Sequence, residues 1–140
     1  MTGTLSPSYM QAFSRKADEN LATAEDAFHA GRSNAAASRL YYAVYQALVA
    51  ILHQHNGFRA PANRSHTIVL NKAQTLLMYD GSPVDRALLQ RVANMRNQRV
   101  KADYKPTDVD QRMVERLLET AKEGISAIRN ALDDAPGIGQ

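Results

Sequence analysis

The chain has 140 residues, a mass of 15.5 kDa and a formal net charge of +3 at pH 7. Hydrophobic residues make up 44% of it, which argues against disorder and predicts one globular domain, with residues 6–134 as ordered core and 135–140 as a tail. Cysteine is absent, which excludes disulfides and thiolate metal ligands and is compatible with the cytoplasmic location that we expect. We find neither a signal peptide nor an apolar run long enough to span a membrane, so we expect no membrane partner.

Two long helices are predicted first. Ser6-Pro7 supplies an N-cap followed by a proline in the first helical turn, and Gly31 supplies the left-handed residue that commonly ends a helix. A second helix, for which Ser33 or Asn34 can act as N-cap, runs to Asn56-Gly57. Apolar residues are spread around this second helix, which predicts that it lies in the middle of the fold.

Three further helices follow after short connections. Ser65 can cap the third, and Asp80-Gly81 marks a turn after it. Ser82-Pro83 repeats the cap-plus-proline arrangement and opens the fourth, which ends at Lys105-Pro106 because a residue before proline resists the helical conformation. Thr107–Asp110 resembles a capping box that opens the fifth. Short connections favour antiparallel neighbours, so we predict an all-α, up-and-down bundle of about five helices.

The histidines give little sign of a metal site. The sequence has neither a Gly-rich phosphate loop nor an H-E-x-x-H motif, so we expect no metal and no cofactor. His53 and His55 are two residues apart and do not share a helical face, so we interpret them as a partly exposed helix end. His66 falls in the first turn of the third helix, after a loop that carries Arg59 and Arg64. His66 can either contribute to a binding site or simply help to cap and pack the third helix.

The fourth helix concentrates the basic charge. Residues 84–105 hold six basic and two acidic residues, so the rest of the chain is close to neutral. An apolar stripe runs along this helix through Leu88, Val92 and Met95, and its next position is Arg99. A helical pair with Asp103 is possible, but an exposed pair of this type contributes only about 0.3–0.5 kcal/mol. A structural ion pair, an interface and an anionic ligand therefore all stay open as reasons for the arginine.

Three segments resemble a known family. They are SRLYYAVYQALVAIL (38–52), RSHTIVL (64–70) and an arginine, Arg99, followed by Ala-Asp-Tyr (102–104). In this order they are similar to the HEPN domain family, and within it to small stand-alone proteins of the UPF0332 type. The resemblance implies a helical bundle that commonly dimerises, with a polar cleft built from the end of the penultimate helix. Catalytically active members cleave RNA without a metal, using an arginine followed after four to six residues by a histidine.

The sequence departs from the catalytic pattern of that family. Arg99 is followed by four intervening residues and then by Tyr104, which takes the place of the histidine. A tyrosine side chain ordinarily has a pKa of about 10, which makes it a poor base at neutral pH. The segment from Arg59 to His66 matches the spacing formally, but it lies in a loop before the third helix, so we interpret it as coincidence. In the RNA-acting interpretation, Arg96 and Arg99 hold phosphate, and Asp103, Tyr104 and His66 complete a weak site.

The resemblance also implies partners. Family members often act as toxins, each paired with a small nucleotidyltransferase antitoxin that can transfer AMP to a tyrosine beside the motif. We therefore expect a homodimer with an interface near Met95 and Arg99, a nucleotidyltransferase-type partner, and RNA or a nucleotide as ligand. The alternative is a non-catalytic nucleotide- or protein-binding module. Tyr104 can be the modified residue, or it can bury its ring against helix two.

Overall fold

The computed structural model describes residues 7–63 and 65–134, and these form five helices and no strand. The helices are α1 (Pro7–His29), α2 (Ser33–Asn56), α3 (Ser65–Leu77), α4 (Arg86–Tyr104) and α5 (Gln111–Asp134). The all-α bundle is therefore confirmed. α2 packs against each of the other four helices, which confirms its predicted place in the middle.

The predicted helix ends are confirmed. Gly31 and Gly57 have φ angles of 76° and 79°, in the left-handed region that glycine adopts without a steric penalty. The Gly57 N–H donates to the carbonyl of His53 at 2.7 Å and so closes the last turn of α2. α4 ends at Tyr104, and Lys105 is extended with φ −103° and ψ 154°, as its position before a proline favours.

α2 begins at Ser33 as predicted but its predicted cap is wrong, and the predicted beginning of α4 is wrong. Ser6 lies outside the described residues. α2 has Arg32 at its N-cap position with no side-chain cap, because Ser33 and Asn34 instead bond across to the segment before α5 and to its first residue. α4 begins at Arg86 and not at Ser82-Pro83. Its cap is Asp85, whose carboxylate accepts the Leu88 N–H at 2.8 Å.

The residues that were predicted to cap serve other purposes. Ser82 donates its hydroxyl to the carbonyl of Leu77 at 2.6 Å, so it completes the end of α3. The capping box at Thr107 is also wrong, because α5 begins four residues later. Its cap is Asp110, whose carboxylate accepts the Met113 N–H at 2.7 Å.

The core lies along α2. Its buried residues are mostly small or branched and apolar, and they are joined by apolar residues from the other four helices. By length and composition, Ser33–Asn56 is also apolar enough to cross a membrane, but core helices meet the same criterion and most of this segment is buried within the bundle. One side of α2 departs from this composition, where its tyrosines meet α3 and α4.

Candidate functional site

The apolar stripe of α4 does continue into an arginine. Leu88, Val92 and Met95 are buried, and Arg99 is only 7% exposed. Its guanidinium carbon lies 5.8 Å from the ring centre of Tyr41, 5.6 Å from that of Tyr42 and 5.7 Å from that of Tyr104. Aromatic faces carry negative electrostatic potential, so the three rings form a favourable surrounding for a cation that has lost most of its water.

The charge of Arg99 is only partly compensated. Its Nη1 lies 3.7 Å from Oδ2 of Asp103, longer than the roughly 2.7–2.9 Å of a charge-assisted hydrogen bond. The same carboxylate oxygen also accepts the hydroxyl of Ser38 at 3.2 Å. The Nε atom of Arg99 is buried without a hydrogen-bond partner. An arginine in this state retains unsatisfied capacity to interact with an anion.

His66 joins the same cluster from α3. Its Nδ1 lies 2.7 Å from the hydroxyl of Tyr41, and its ring centre lies 4.9 Å from that of Tyr45. A side-chain hydrogen bond between Ser65 and Tyr45 also links the first turn of α3 to α2. The position of the imidazole is therefore fixed by α2, although the two segments are 25 residues apart.

The electrostatic environment keeps His66 neutral. Burial is the largest cause that lowers the pKa of His66 below its ordinary value of 6.5, and the positive charges of Arg96 and Arg99 lower it further. Burial also raises the pKa of Tyr41 above its ordinary value of 10, against the opposing charge of Arg96. At neutral pH the cluster thus combines two cationic side chains with an uncharged imidazole and a protonated phenol.

Tyr104 lies at the outer edge of this cluster. It is 73% exposed, so the prediction that it buries its ring against helix two is wrong. The reason is that α4 ends at this residue and the chain turns into the extended Lys105, which leaves the ring beyond the last turn of the helix. The exposed tyrosine is accessible to a second molecule.

All the sequence-predicted site residues come together here. Arg96, Arg99, Asp103 and Tyr104 come from α4, and His66 comes from α3. The sequence interpretation missed the contribution of α2. Its residues in the cluster lie at spacings of three, one and three, which is one helical face, and they are Ser38, Tyr41, Tyr42 and Tyr45. From the sequence alone, the three tyrosines are interpreted as part of the apolar surface of the helix, because an aromatic stripe of this spacing usually packs in a core.

Other sequence predictions near the site need correction or lie elsewhere. Met95 is fully buried and Arg99 nearly so within their own chain, so these two side chains offer little surface themselves, and a dimer interface near them stays a prediction. A homodimer as such stays a prediction. Arg59 lies over the ring of Tyr9 in α1, 4.5 Å from its centre, whereas His66 contacts α2. Arg64 lies outside the described residues.

Of the two histidines near the end of α2, His53 has structural surroundings, whereas the Nδ1 atom of His55 is buried without a hydrogen-bond partner. His53 is buried and not partly exposed as predicted, because its ring packs 4.4 Å from that of Tyr9 and its Nδ1 pairs with the carbonyl of Phe58 at 3.0 Å. Within residues 7–63 and 65–134, no group of three or more histidine and carboxylate side chains is placed to hold a metal ion.

Comparison with protein-family models gives a match to the HEPN domain over residues 10–131. The chain belongs to the HEPN domain family. The match covers most of the chain and includes every residue of the cluster around Arg99. No match was found among curated proteins. Membership of the HEPN family agrees with the five-helix bundle and supports a general role as an RNA-related or toxin–antitoxin-type module.

Proposed function

We propose that this HEPN domain binds RNA through the basic cleft at the end of α4, as one component of a toxin–antitoxin-type pair. The observation that carries the proposal is Arg99, a nearly buried guanidinium whose Nε has no partner and whose nearest carboxylate is 3.7 Å away. A buried cation of this kind is unfavourable for folding unless something compensates it. A phosphate group is an acceptor of matching charge and geometry for a guanidinium.

The surroundings of Arg99 suit a nucleic acid better than a bare anion. Arg96 lies close enough to Tyr41 and His66 to affect their pKa values, so a second guanidinium serves the same cleft. The exposed ring of Tyr104 stands beside the guanidinium of Arg99. Stacking of a base on an aromatic side chain contributes about 1–3 kcal/mol, in addition to the phosphate contacts. The cleft can thus hold both the backbone and a base of single-stranded RNA.

The double variant Arg96→Ala/Arg99→Ala tests this proposal. Binding of a labelled single-stranded RNA is measured by fluorescence anisotropy at several salt concentrations. We expect the variant to bind more weakly for every RNA sequence. The slope of log K against log salt should become shallower by about 0.7 for each phosphate that an arginine no longer neutralises.

Arg91→Ala is the matched control, because Arg91 lies on the same helix but is paired with Glu123 at 2.8 Å and with Thr120 at 3.2 Å. It should bind RNA like the parent. If the double variant binds as well as Arg91→Ala at every salt concentration, the cleft is not the binding site. Competition by mononucleotides as strong as by RNA would make a nucleotide the ligand.

The alternative function is favoured by one observation, the exposed tyrosine at the motif position. Tyr104 stands where catalytic relatives carry histidine, and its 73% exposure allows a second protein to reach it. In this alternative the domain is a non-catalytic partner of a nucleotidyltransferase, of the UPF0332 type, and Tyr104 accepts AMP. The added phosphate would lie beside Arg99 and occupy the cleft by the attraction that otherwise holds RNA.

Mass spectrometry of the protein co-expressed with a nucleotidyltransferase encoded next to it tests the alternative. We expect a mass increase of one adenylate on Tyr104, loss of that increase in Tyr104→Phe, and weaker RNA binding by the modified protein. An unmodified Tyr104 in a complex with an active nucleotidyltransferase would contradict the alternative function.

Light scattering of the protein purified from the cytoplasm tests the proposed homodimer. A measured mass near that of a single 15.5 kDa chain would contradict the homodimer.

A further inference from the structure

A long part of the chain carries no acidic side chain. Between Asp26 and Asp80 there is neither aspartate nor glutamate, whereas arginine and lysine do occur in this stretch. It includes all of α2, the loop after α2 and all of α3. These elements therefore attract a polyanion and supply no carboxylate that would repel it.

Arg59, in the loop after α2, is an exposed arginine supported by an aromatic ring. Its guanidinium carbon lies 4.5 Å from the ring centre of Tyr9 in α1. The hydroxyl of Tyr9 accepts the N–H of Ala60 at 3.2 Å, which holds the loop against α1. None of the ion pairs found among the described residues includes Arg59. A planar guanidinium in this state offers donors to a phosphate and a surface on which a base can stack.

Aromatic side chains connect this loop to the cleft at the end of α4. Burial is the largest cause that raises the pKa of Tyr45, and the nearby Tyr9 raises it further, so these two tyrosines are close to each other. The ring centre of His66 lies 4.9 Å from that of Tyr45 and 6.2 Å from that of Tyr42. Arg99 in turn lies over the ring of Tyr42. The row of aromatic rings thus continues from the cleft to the loop after α2.

The length of this row fits a short single strand. At one end Tyr42 contacts Arg99, and at the other end His53 contacts Tyr9, with 4.4 Å between the two ring centres. Tyr42 and His53 belong to the same helix and are about 16 Å apart along its axis, at a rise of about 1.5 Å per residue. Phosphates held by Arg99 and by Arg59 therefore belong to different nucleotides.

Resting on the proposed function, we propose that the RNA-binding surface extends from the cleft along the α2 tyrosines to Arg59, and that its ligand is a single strand of about four nucleotides or more. Arg96 and Arg99 hold the phosphate at one end of the strand. Arg59, supported by Tyr9, binds the other end through phosphate contact and base stacking. Double-stranded RNA is a poorer ligand, because its paired bases cannot stack on these side chains.

The experiment compares a dinucleotide and an octanucleotide of single-stranded RNA by fluorescence anisotropy. We expect the parent to bind the octanucleotide at least about tenfold more tightly, because a second contact on the same strand acts at a high effective concentration. Arg59→Ala should weaken binding of the octanucleotide by about fivefold or more, the factor that corresponds to the loss of one stacked base. The salt dependence of octanucleotide binding should become shallower by about 0.7. The dinucleotide should bind to Arg59→Ala as it binds to the parent, which also shows that the variant is folded.

Two further variants separate stacking from charge. Arg59→Lys retains the positive charge and loses the planar group, so it should keep the parental salt dependence and bind the octanucleotide with intermediate affinity. Lys72→Ala is the matched control, because Lys72 is an exposed cation of the same acid-free stretch that lies with Ile68 and Thr75 on the outer face of α3. It should bind both RNAs like the parent.

The outcomes distinguish this proposal from the proposed function. If Arg59→Ala binds the octanucleotide as tightly as Lys72→Ala does, while Arg96→Ala/Arg99→Ala is impaired, the extension to Arg59 is overturned and the cleft remains. An equal loss of binding for both RNA lengths in Arg59→Ala overturns the extension as well, because Arg59 then acts on the cleft or on the fold. A parent that binds neither RNA overturns the proposed function, and the extension with it.

Discussion

Two of the places where α2 makes polar contacts differ in how completely their polar groups are paired. At its beginning, the amide of Asn34 donates to Asp108 at 2.9 Å and its oxygen accepts the Val109 N–H at 2.9 Å. One and two turns further along, Ser38 donates to Asp103 and the ring of Tyr41 faces Arg99, whose Nε has no partner. The first contact joins α2 to the segment before α5, and the second lies at the end of α4.

The difference separates a structural contact from a candidate site. Fully paired polar groups fix one arrangement of the chain and have no remaining capacity for a ligand. The incompletely paired Arg99 gives up part of that stabilisation and retains the capacity to bind an anion. Stability should therefore depend mainly on the first contact, and binding mainly on the second.

The largest loss of stability is expected for Asn34→Ala. This change removes both hydrogen bonds and leaves the N–H of Val109, a buried residue, without its acceptor. We expect the free energy of unfolding to fall by about 1–3 kcal/mol, with RNA binding unchanged. Chemical denaturation measures the first quantity and anisotropy the second. The comparison breaks down if Asn34→Ala leaves stability unchanged or weakens RNA binding in the folded protein.

A smaller effect on stability is expected for Arg99→Met. The methionine fills a similar apolar space and removes a cation that is buried with incomplete pairing, while the partly exposed Asp103 can be hydrated. We expect the free energy of unfolding to change by less than about 1 kcal/mol while RNA binding becomes weaker.

Asp103→Asn sharpens the same test, because it leaves the cation of Arg99 in place and removes its carboxylate. It should destabilise the protein more than Arg99→Met does. If Arg99→Met is the more destabilising of the two variants, then the arginine has a structural role, and the difference between the two contacts of α2 is one of degree only.

The fold was predictable because its signals are local. The glycines at positions 31 and 57 and the proline at 106 act on the backbone of their immediate neighbours, and all three helix ends are confirmed. The wrong helix beginnings have a physical reason. Ser82 accepts the Val84 N–H and Asp85 accepts the Leu88 N–H, so both are able to cap, and only the packing of the connection decides at which of them the helix begins.

The candidate site was only partly predictable, because its contacts are long-range. A charge on the apolar stripe identified Arg99 from the sequence alone. The pairing of Tyr41 with His66 depends on how the loop after α2 places α3, and helical periodicity contains no information about that placement. The exposure of Tyr104 depends on where α4 stops relative to its neighbours, so the sequence left both of its interpretations open.

The smallest predicted effect is a loss of stability at acidic pH. The pKa of His66 is below 6.5 in the folded protein and returns to about 6.5 on unfolding, so between these values the unfolded chain binds more protons. The contribution of His66 to stability is therefore complete above about pH 6.5 and is lost as pH falls through the folded-state pKa.

Thermal unfolding of the parent and of His66→Asn at pH 7.5 and pH 5.5 measures this effect. The parent should lose more stability than His66→Asn when the pH is lowered. Arg96→Gln should reduce that loss without abolishing it, because burial is the larger cause of the shift and Arg99 remains. An equal loss in the parent and in His66→Asn would mean that the imidazole is not held neutral by this cluster.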